Sequence, residues 1–405
     1  MNDSSNYDDF VKAYNNFDLQ PLSGERLEKF YVDDFTKESV QEIITTISIS
    51  EHFKKLLVIG HRGCGKSTIL NKVAEDLKNN YHVVSFSAAD VMNMMDVKTV
   101  DILLGTYLQV LNSIKKENEL GVTVEHFEKL MKPIKERLSL KETGISLLGI
   151  ISFKFMVETE SRYTIRDELQ NQMEGLQKNL SDVCQKIRNR YNKDVLIIID
   201  DLDKLETKFA EQIFFDNPHL LSSLPEAKII YTFPLDTYYC DAYIRISDRY
   251  DDQFIPLVNL LDSQQNYLES SQEKLRKLIL RRIDKNLIDD DALKYLIDMS
   301  GGLLRDLVKF MQDCCKLAIV EKMSVINYSI AKMAVNEHIN QYYRIFDFPE
   351  YSEKVREVAL TKKKIDNKTL IYLLRYLFVL EYRYRQNIWY DVHPCLKDAL
   401  ERKAS

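Results

Sequence analysis

From residue 56 the chain runs through an apolar stretch, Leu56-Leu57-Val58-Ile59, into Gly60-His61-Arg62-Gly63-Cys64-Gly65-Lys66-Ser67 and on to Thr68-Ile69-Leu70-Asn71-Lys72-Val73-Ala74. The first run reads as a buried strand and the last as the opening of an amphipathic helix. Between them, Gly60, Gly65, Lys66 and Ser67 stand in the spacing of a phosphate-cradling loop. Few folds tolerate that succession. Glycines let the main chain turn its N–H groups toward an anion, and the helix N-terminus adds partial positive charge at the same point. Residues Gly60, His61, Arg62, Gly63, Cys64, Gly65, Lys66, Ser67 and Thr68 are therefore the expected nucleotide-binding segment. Lys66 is expected to reach the β- and γ-phosphates and Ser67 to ligate magnesium. The competing reading is a plain glycine turn that caps a core helix.

A chain of 405 residues, 45% hydrophobic and 29% charged, can bury a real core and is expected to hold two or three domains. Its apolar runs near residues 145–151 and 195–199 fall short of the ~18 residues that a membrane helix requires. The polar, acidic opening Met1-Asn2-Asp3-Ser4-Ser5-Asn6 reads as neither secretory signal nor transit peptide, so a soluble, cytoplasmic protein without a membrane partner is expected. Cys64, Cys184, Cys240, Cys314, Cys315 and Cys395 are scattered without metal-ligand spacing, which suits reduced thiols. The net charge of −6 argues against a surface given over to nucleic acid. Residues 351–405 depart from that balance, with twelve Lys/Arg against seven Asp/Glu, and would attract a partner that prefers positive charge.

After the loop helix, His82 to Ser87 reads as a strand and Val97 to Lys116 as a helix; strands then alternate with helices, the pattern of an α/β, doubly wound parallel sheet. The stretch from about 120 to 192 is long for a crossover. Within it, Ile145 to Thr159 shows β-type alternation around Gly149 and Tyr163 to Tyr191 a long helical pattern, so a hairpin plus helix is expected there, either for partner contacts or as a cap on the sheet edge. Val195 to Ile199 and Lys228 to Thr232 read as central strands covered on both faces. Beyond Ser271 the pattern is helical. The tail reads as helix, helix and a hairpin of Tyr382-Arg383-Tyr384-Arg385, a Gln386-Asn387 turn, and Ile388 to Val392, the order of a winged helix. The expected domains are a helical N-terminal segment (1–50), a nucleotide-binding core (51–265), a helical lid (266–342) and a winged-helix-like domain (343–405).

Hydrolysis needs a magnesium anchor and a group that orients water. Asp200, ending a buried strand at the edge where ligands gather in open α/β sheets, suits the first task. Asp201 follows where a water-polarising acid is expected. Asp203 is a spare acid that would serve equally as a helix cap.

The loop at Gly60 to Ser67, the Asp200-Asp201 strand, the Thr232 strand and Gly301-Gly302-Leu303-Leu304-Arg305-Asp306 come in the order and spacing of AAA+ and STAND-like P-loop ATPases. The chain most resembles the origin-recognition initiator branch and related bacterial regulatory ATPases, well over residues 25–340 and loosely in the tail. That resemblance implies ATP and Mg2+ as cofactors, a helical lid and a C-terminal winged helix. It makes Thr232 a polar sensor of the γ-phosphate or attacking water, and Arg305 a lid arginine coupled to nucleotide state. Arg249, with Arg245 in reserve, becomes an arginine finger for a neighbouring subunit, and Tyr31 and Val32 become lining of the adenine pocket. Each has a plainer alternative as strand, helix-surface, loop or core residue. Members with robust turnover carry Glu after the magnesium Asp. Asp201 is one methylene shorter, and an Asp-Asp pair is common among STAND signalling switches, so slow hydrolysis is implied.

The leading expectation is a homo-oligomeric, nucleotide-gated ATPase switch controlling a separate partner or effector, with antiviral defence as the setting the resemblance implies. The alternative is an ATP-dependent DNA-binding initiator, loader or transposition-type regulator, with Lys362, Lys363, Lys364, Lys368, Arg375, Arg383 and Arg385 contacting phosphates near Tyr384 and Trp389. A scaffold that keeps nucleotide without turning it over is a third reading.

Overall fold

The computed structural model describes residues 5–114, 121–141, 143–223, 225–384 and 386–404. The chain divides into two compact units, one of residues 42–59 and 73–253 and the other of residues 1–41, 60–72 and 254–405.

A five-stranded sheet is built from β1 (Lys55–Ile59), β2 (Tyr81–Ser87), β3 (Asp194–Asp200), β4 (Lys228–Phe233) and β5 (Asp251–Phe254), in the order β2-β3-β4-β1-β5. Strands β1 to β4 pair in parallel, with Val58 beside Thr232, Ile199 beside Tyr231 and Ser87 beside Asp200. The doubly wound α/β sheet expected from the apolar runs is thus present. Every residue of β1 and β4 is buried, as is Val195 to Ile199 of β3. Such runs need no polar alternation because both sheet faces are covered. The register brings the C-terminal ends of β1, β3 and β4 to one edge.

The opposite edge is closed by two lysines that open their strands. Lys55 donates to the carbonyls of Phe53 (3.1 Å), Pro225 (3.2 Å) and Ala227 (2.8 Å). Lys228 donates to the carbonyls of Ile47 (2.6 Å) and Ser50 (2.9 Å) and to the Tyr81 hydroxyl (3.2 Å). Both ammonium groups are buried, and burial pulls that of Lys55 down to about 7. Main-chain acceptors compensate in part for the water each has lost.

The insertion between β2 and β3 is helical, with helices Thr99–Ser113, Gly121–Arg137, Gly144–Val157, Thr159–Gln170 and Met173–Tyr191. The first and last of these pack against the sheet. The hairpin expected at 145–159 is therefore corrected to a helix. Leu147, Leu148, Ile151 and Phe155 are its buried face, a helical spacing, whereas Phe153, Met156 and Val157 are exposed. Apolar residues on both faces hide the 3.6-residue period from a sequence reading. The long helix expected from Tyr163 to Tyr191 is two helices, parted at Asn171 and Gln172.

The other unit contains N-terminal helices Ser5–Asn16 and Gly24–Phe30, then helices Glu269–Leu280, Asp290–Met299, Leu304–Val320 and Tyr328–Ile345. Its end carries helices Phe348–Thr361 and Asn367–Arg375, an antiparallel hairpin of β6 (Val379–Tyr384) and β7 (Asn387–Val392), and a closing helix, Pro394–Ala404, that the sequence reading did not foresee. Asp347 and Asp366 cap the first two of these tail helices by accepting the N–H groups of Glu350 and Thr369. The order is winged-helix-like; Arg385 lies outside the described residues. All six cysteines are free thiols. Among the described residues no helix is long and apolar enough to cross a membrane.

An ion cluster buried at Arg166 and Asp101 links two helices of the insertion. Arg166 donates through Nε (3.1 Å) and Nη2 (2.6 Å) to the carboxylate of Asp101 and through Nη1 to Asp96 (3.0 Å). Burial pushes the Asp101 carboxyl up while Arg166 opposes that shift. Removing the guanidinium would leave Asp101 as an uncompensated buried acid. Arg166→Ala is expected to lower unfolding stability by about 3–5 kcal/mol, measured by urea denaturation, and the Arg166→Ala/Asp101→Asn pair is expected to cost less than the sum of the single changes.

Candidate nucleotide-binding site

The glycine loop has the backbone its sequence demands. Gly63 (φ +88°) and Gly65 (φ +104°) occupy left-handed conformations that L-residues adopt only under strain. Gly60 is excluded from substitution by space, since a Cβ there would lie 2.6 Å from the carbonyl oxygen of Ile255. Helix Lys66–Leu77 begins directly after these turns, so its first N–H groups open toward the loop.

Lys66 is buried and donates to the carbonyls of Gly60 (2.8 Å) and His61 (2.9 Å). To act on a nucleotide its ammonium would turn one or more of its three N–H donors from such acceptors to phosphate oxygens. Ser67 is half-buried beside it, Cys64 is buried and Arg62 is exposed. The Thr68 hydroxyl accepts the N–H of Leu22 (3.1 Å), and Asn71 donates to the Leu22 carbonyl (2.9 Å). Leu22 packs with Leu27, Phe30 and Tyr31. Tyr31 therefore stands in the cluster pinned to the loop helix, although its hydroxyl bonds Thr36 (2.6 Å) and its carbonyl accepts from Arg281. Val32 is buried.

Arg305, the second residue of helix Leu304–Val320, places its own main chain on the loop: its N–H donates to the Gly63 carbonyl (3.1 Å). Its side chain is exposed. Gly302 makes that approach feasible, because a Cβ there would come 2.0 Å from the Val258 carbonyl oxygen. No sequence motif anticipates this main-chain contact. Nor does one anticipate a second: the ring Nε2 of His61 accepts the N–H of Glu381 in β6 at 2.7 Å.

In the sheet unit, the acids gather at the C-terminal edge. The carboxylates of Asp200, Asp201 and Asp203 lie within 4.8 Å of one another, a hard-oxygen set of the kind that divalent cations take. Asp201 adopts a left-handed conformation (φ +68°), which short acidic side chains tolerate, and its N–H donates to Asp200 Oδ1 (2.7 Å). Both of its carboxylate oxygens are engaged, one by the Ser87 hydroxyl (2.6 Å) and the other by Lys204 (2.5 Å). Thr232 is fully buried and its hydroxyl accepts the Leu202 N–H (3.0 Å), so it anchors the acid turn. Arg249 is half-buried with Nη1 on His219 Nδ1 (3.2 Å), whereas Arg245 is exposed.

Residues 36–233 match the KAP family P-loop domain, so this segment is a P-loop NTPase domain. No curated protein matches the chain by sequence. Among solved structures it is similar to Cdc6p from Pyrobaculum aerophilum, with 11% identity, TM-score 0.46, and 96% of this chain and 97% of that one covered. It is also similar to the Drosophila ORC bound to DNA (9%, TM-score 0.43, 99% and 93% covered) and to the Aeropyrum pernix ORC1 protein in complex with DNA (11%, TM-score 0.42, 96% and 96% covered).

Because a Cβ on Gly63 would meet that of Arg305 at 2.8 Å in a left-handed backbone, Gly63→Ala is expected to cost about 1–3 kcal/mol of stability. Gly149→Ala, in open space within a helix, is the control and is expected to be neutral or slightly stabilising. Urea denaturation of both variants checks this.

Proposed function

We propose that this P-loop NTPase binds ATP with Mg2+, hydrolyses it slowly, and acts as a nucleotide-gated oligomeric switch on a separate partner. The observation that carries the reading is the loop itself, with a buried Lys66 held on two loop carbonyls and the lid main chain resting on Gly63. The N–H groups of the loop and helix would receive the phosphates, Lys66 would neutralise the β- and γ-oxygens, and the Leu22–Tyr31 cluster would border the base. Ser67 and Asp200 are the oxygen donors assigned to magnesium, which would supply charge neutralisation at the phosphates.

Slow turnover is supported by the state of Asp201. With one oxygen on Ser87 and the other on Lys204, its carboxylate is held by two partners that compete with water for its lone pairs. Thr232 supports the acid turn through Leu202, a positioning role. A subunit-boundary finger is assigned to Arg249, with the exposed Arg245 as the substitute, since Arg249 would first have to leave His219. Lys66→Ala is expected to weaken ATP binding about 10–100-fold, the loss of one charge-assisted contact. Asp200→Asn is expected to abolish the dependence of that affinity on Mg2+. Calorimetric titration with ATP checks both, and unchanged binding in Lys66→Ala would remove the reading.

A second reading, engagement of DNA by the tail, is favoured by the exposed Lys363, Lys364 and Lys368. It is narrowed by internal commitments elsewhere: Lys362 pairs with Asp391 (2.6 Å) and Arg383 with Glu381 (2.6 Å). If DNA is bound there, replacing the three exposed lysines by Ala should reduce the slope of log affinity against log salt by about 2–3. Fluorescence anisotropy with duplex DNA measures that slope, and an unchanged value sets this reading aside.

A further inference from the structure

We propose that His61 is a positioning residue that transmits the state of the nucleotide loop to the C-terminal hairpin, docking β6 while Lys66 holds the loop carbonyls and releasing it when a triphosphate draws Lys66 away. The inference rests on the nucleotide-binding reading above and assigns its output. His61 has one end in each partner: its carbonyl is one of the two held by Lys66 (2.9 Å), and its ring Nε2 accepts the main-chain N–H of Glu381 (2.7 Å).

The contact is buried on both sides, with His61 at 1% and Glu381 at 0% exposure. Burial foremost, then the nearby Lys66, hold the imidazole down to about 3, and an N–H donated to Nε2 likewise favours the neutral ring. The ring is thus a neutral acceptor throughout the physiological range. An accepting Nε2 places the proton on Nδ1, and that atom is buried without a hydrogen-bond partner among the described residues. A buried donor without an acceptor penalises the docked arrangement, so a modest change at the loop suffices to tip it.

The hairpin has further moorings that lead back to the same loop. The Tyr382 hydroxyl donates to the Gly301 carbonyl (2.8 Å), and His393 Nε2 bonds Asp306 (3.0 Å). Because His393 Nδ1 accepts the Cys395 N–H, its Nε2 is the donor. Gly301 and Asp306 flank Arg305, whose N–H rests on Gly63. Arg383 lies over the Phe254 ring at 3.4 Å and pairs with Glu381. Loop, lid and hairpin therefore share one set of contacts, and by linkage whatever a nucleotide does to the hairpin, the hairpin does to nucleotide affinity.

The chain's single tryptophan reports on this contact. Trp389 is buried in β7 and stacked on Tyr382, the residue after Glu381, with centroids 5.6 Å apart. The test follows Trp389 emission while Mg-ATP or Mg-ADP is titrated into the full chain, with binding measured in parallel by calorimetry. Wild type is expected to shift to the red with ATP at the calorimetric midpoint. His61→Ala should be red-shifted before nucleotide is added and should bind ATP severalfold more tightly, since undocking no longer opposes binding. His61→Gln, whose amide oxygen can accept the Glu381 N–H, should restore the wild-type response. If ATP binds by calorimetry and Trp389 does not respond, or if His61→Ala responds as wild type does, the relay is wrong and the nucleotide reading survives. If calorimetry detects no ATP binding, the reading beneath it falls. Should His61→Ala fail to fold, the wild-type titration decides alone.

Discussion

A cation buried among main-chain carbonyls sets the terms for the nucleotide loop. Lys66 has little access to water, so its ammonium needs oxygen acceptors, and the loop supplies them from Gly60 and His61. The loop turns through Gly63 and Gly65 in backbone conformations that other residues adopt only under strain. The lysine that would meet phosphate is also what braces the loop, so ligand binding and loop shape cannot vary independently. The placement of Arg305 on Gly63 and of His61 on Glu381 extends that dependence to the lid and the hairpin.

The acid turn follows another logic. Asp200 ends a fully apolar strand, and the chain then reverses through the left-handed Asp201. Thr232 from the adjacent strand fixes the turn by accepting the Leu202 N–H. Three acids close together repel one another, and Lys204 with the Ser87 hydroxyl offsets part of that repulsion at Asp201. The same contacts that make the turn stable occupy part of the accepting capacity of the Asp201 carboxylate.

Much of this was legible in the residues. The runs Leu56–Ile59 and Val195–Ile199 announce buried strands because nothing polar interrupts them, and the glycine spacing at 60–65 specifies a backbone rather than a side-chain pattern. The helix Gly144–Val157 was not legible, since Phe153, Met156 and Val157 place apolar residues on its exposed face. Strand β5 begins Asp251-Asp252-Gln253, residues with poor strand preference that pair only because β1 offers an edge. The contact between His61 and Glu381 joins a side chain to a main-chain N–H across 320 positions, and no periodicity or motif records it. Likewise the tail's charges looked uniformly available, yet Lys362 and Arg383 are neutralised within the unit.

The paired ammonium groups at the starts of β1 and β4 bear on how the sheet is held together. Lys55 clasps the chain at Pro225 and Ala227, and Lys228 clasps it at Ile47 and Ser50, so segments distant in sequence are riveted at one rim. The rim bearing Asp200 and Asp201 is held by side chains around the turn instead, with Thr232 on Leu202 and both Ser87 and Lys204 on Asp201. The two ends of the sheet are thus held by different chemistry, buried ammonium groups on main-chain carbonyls at one and side chains gathered around an acid turn at the other.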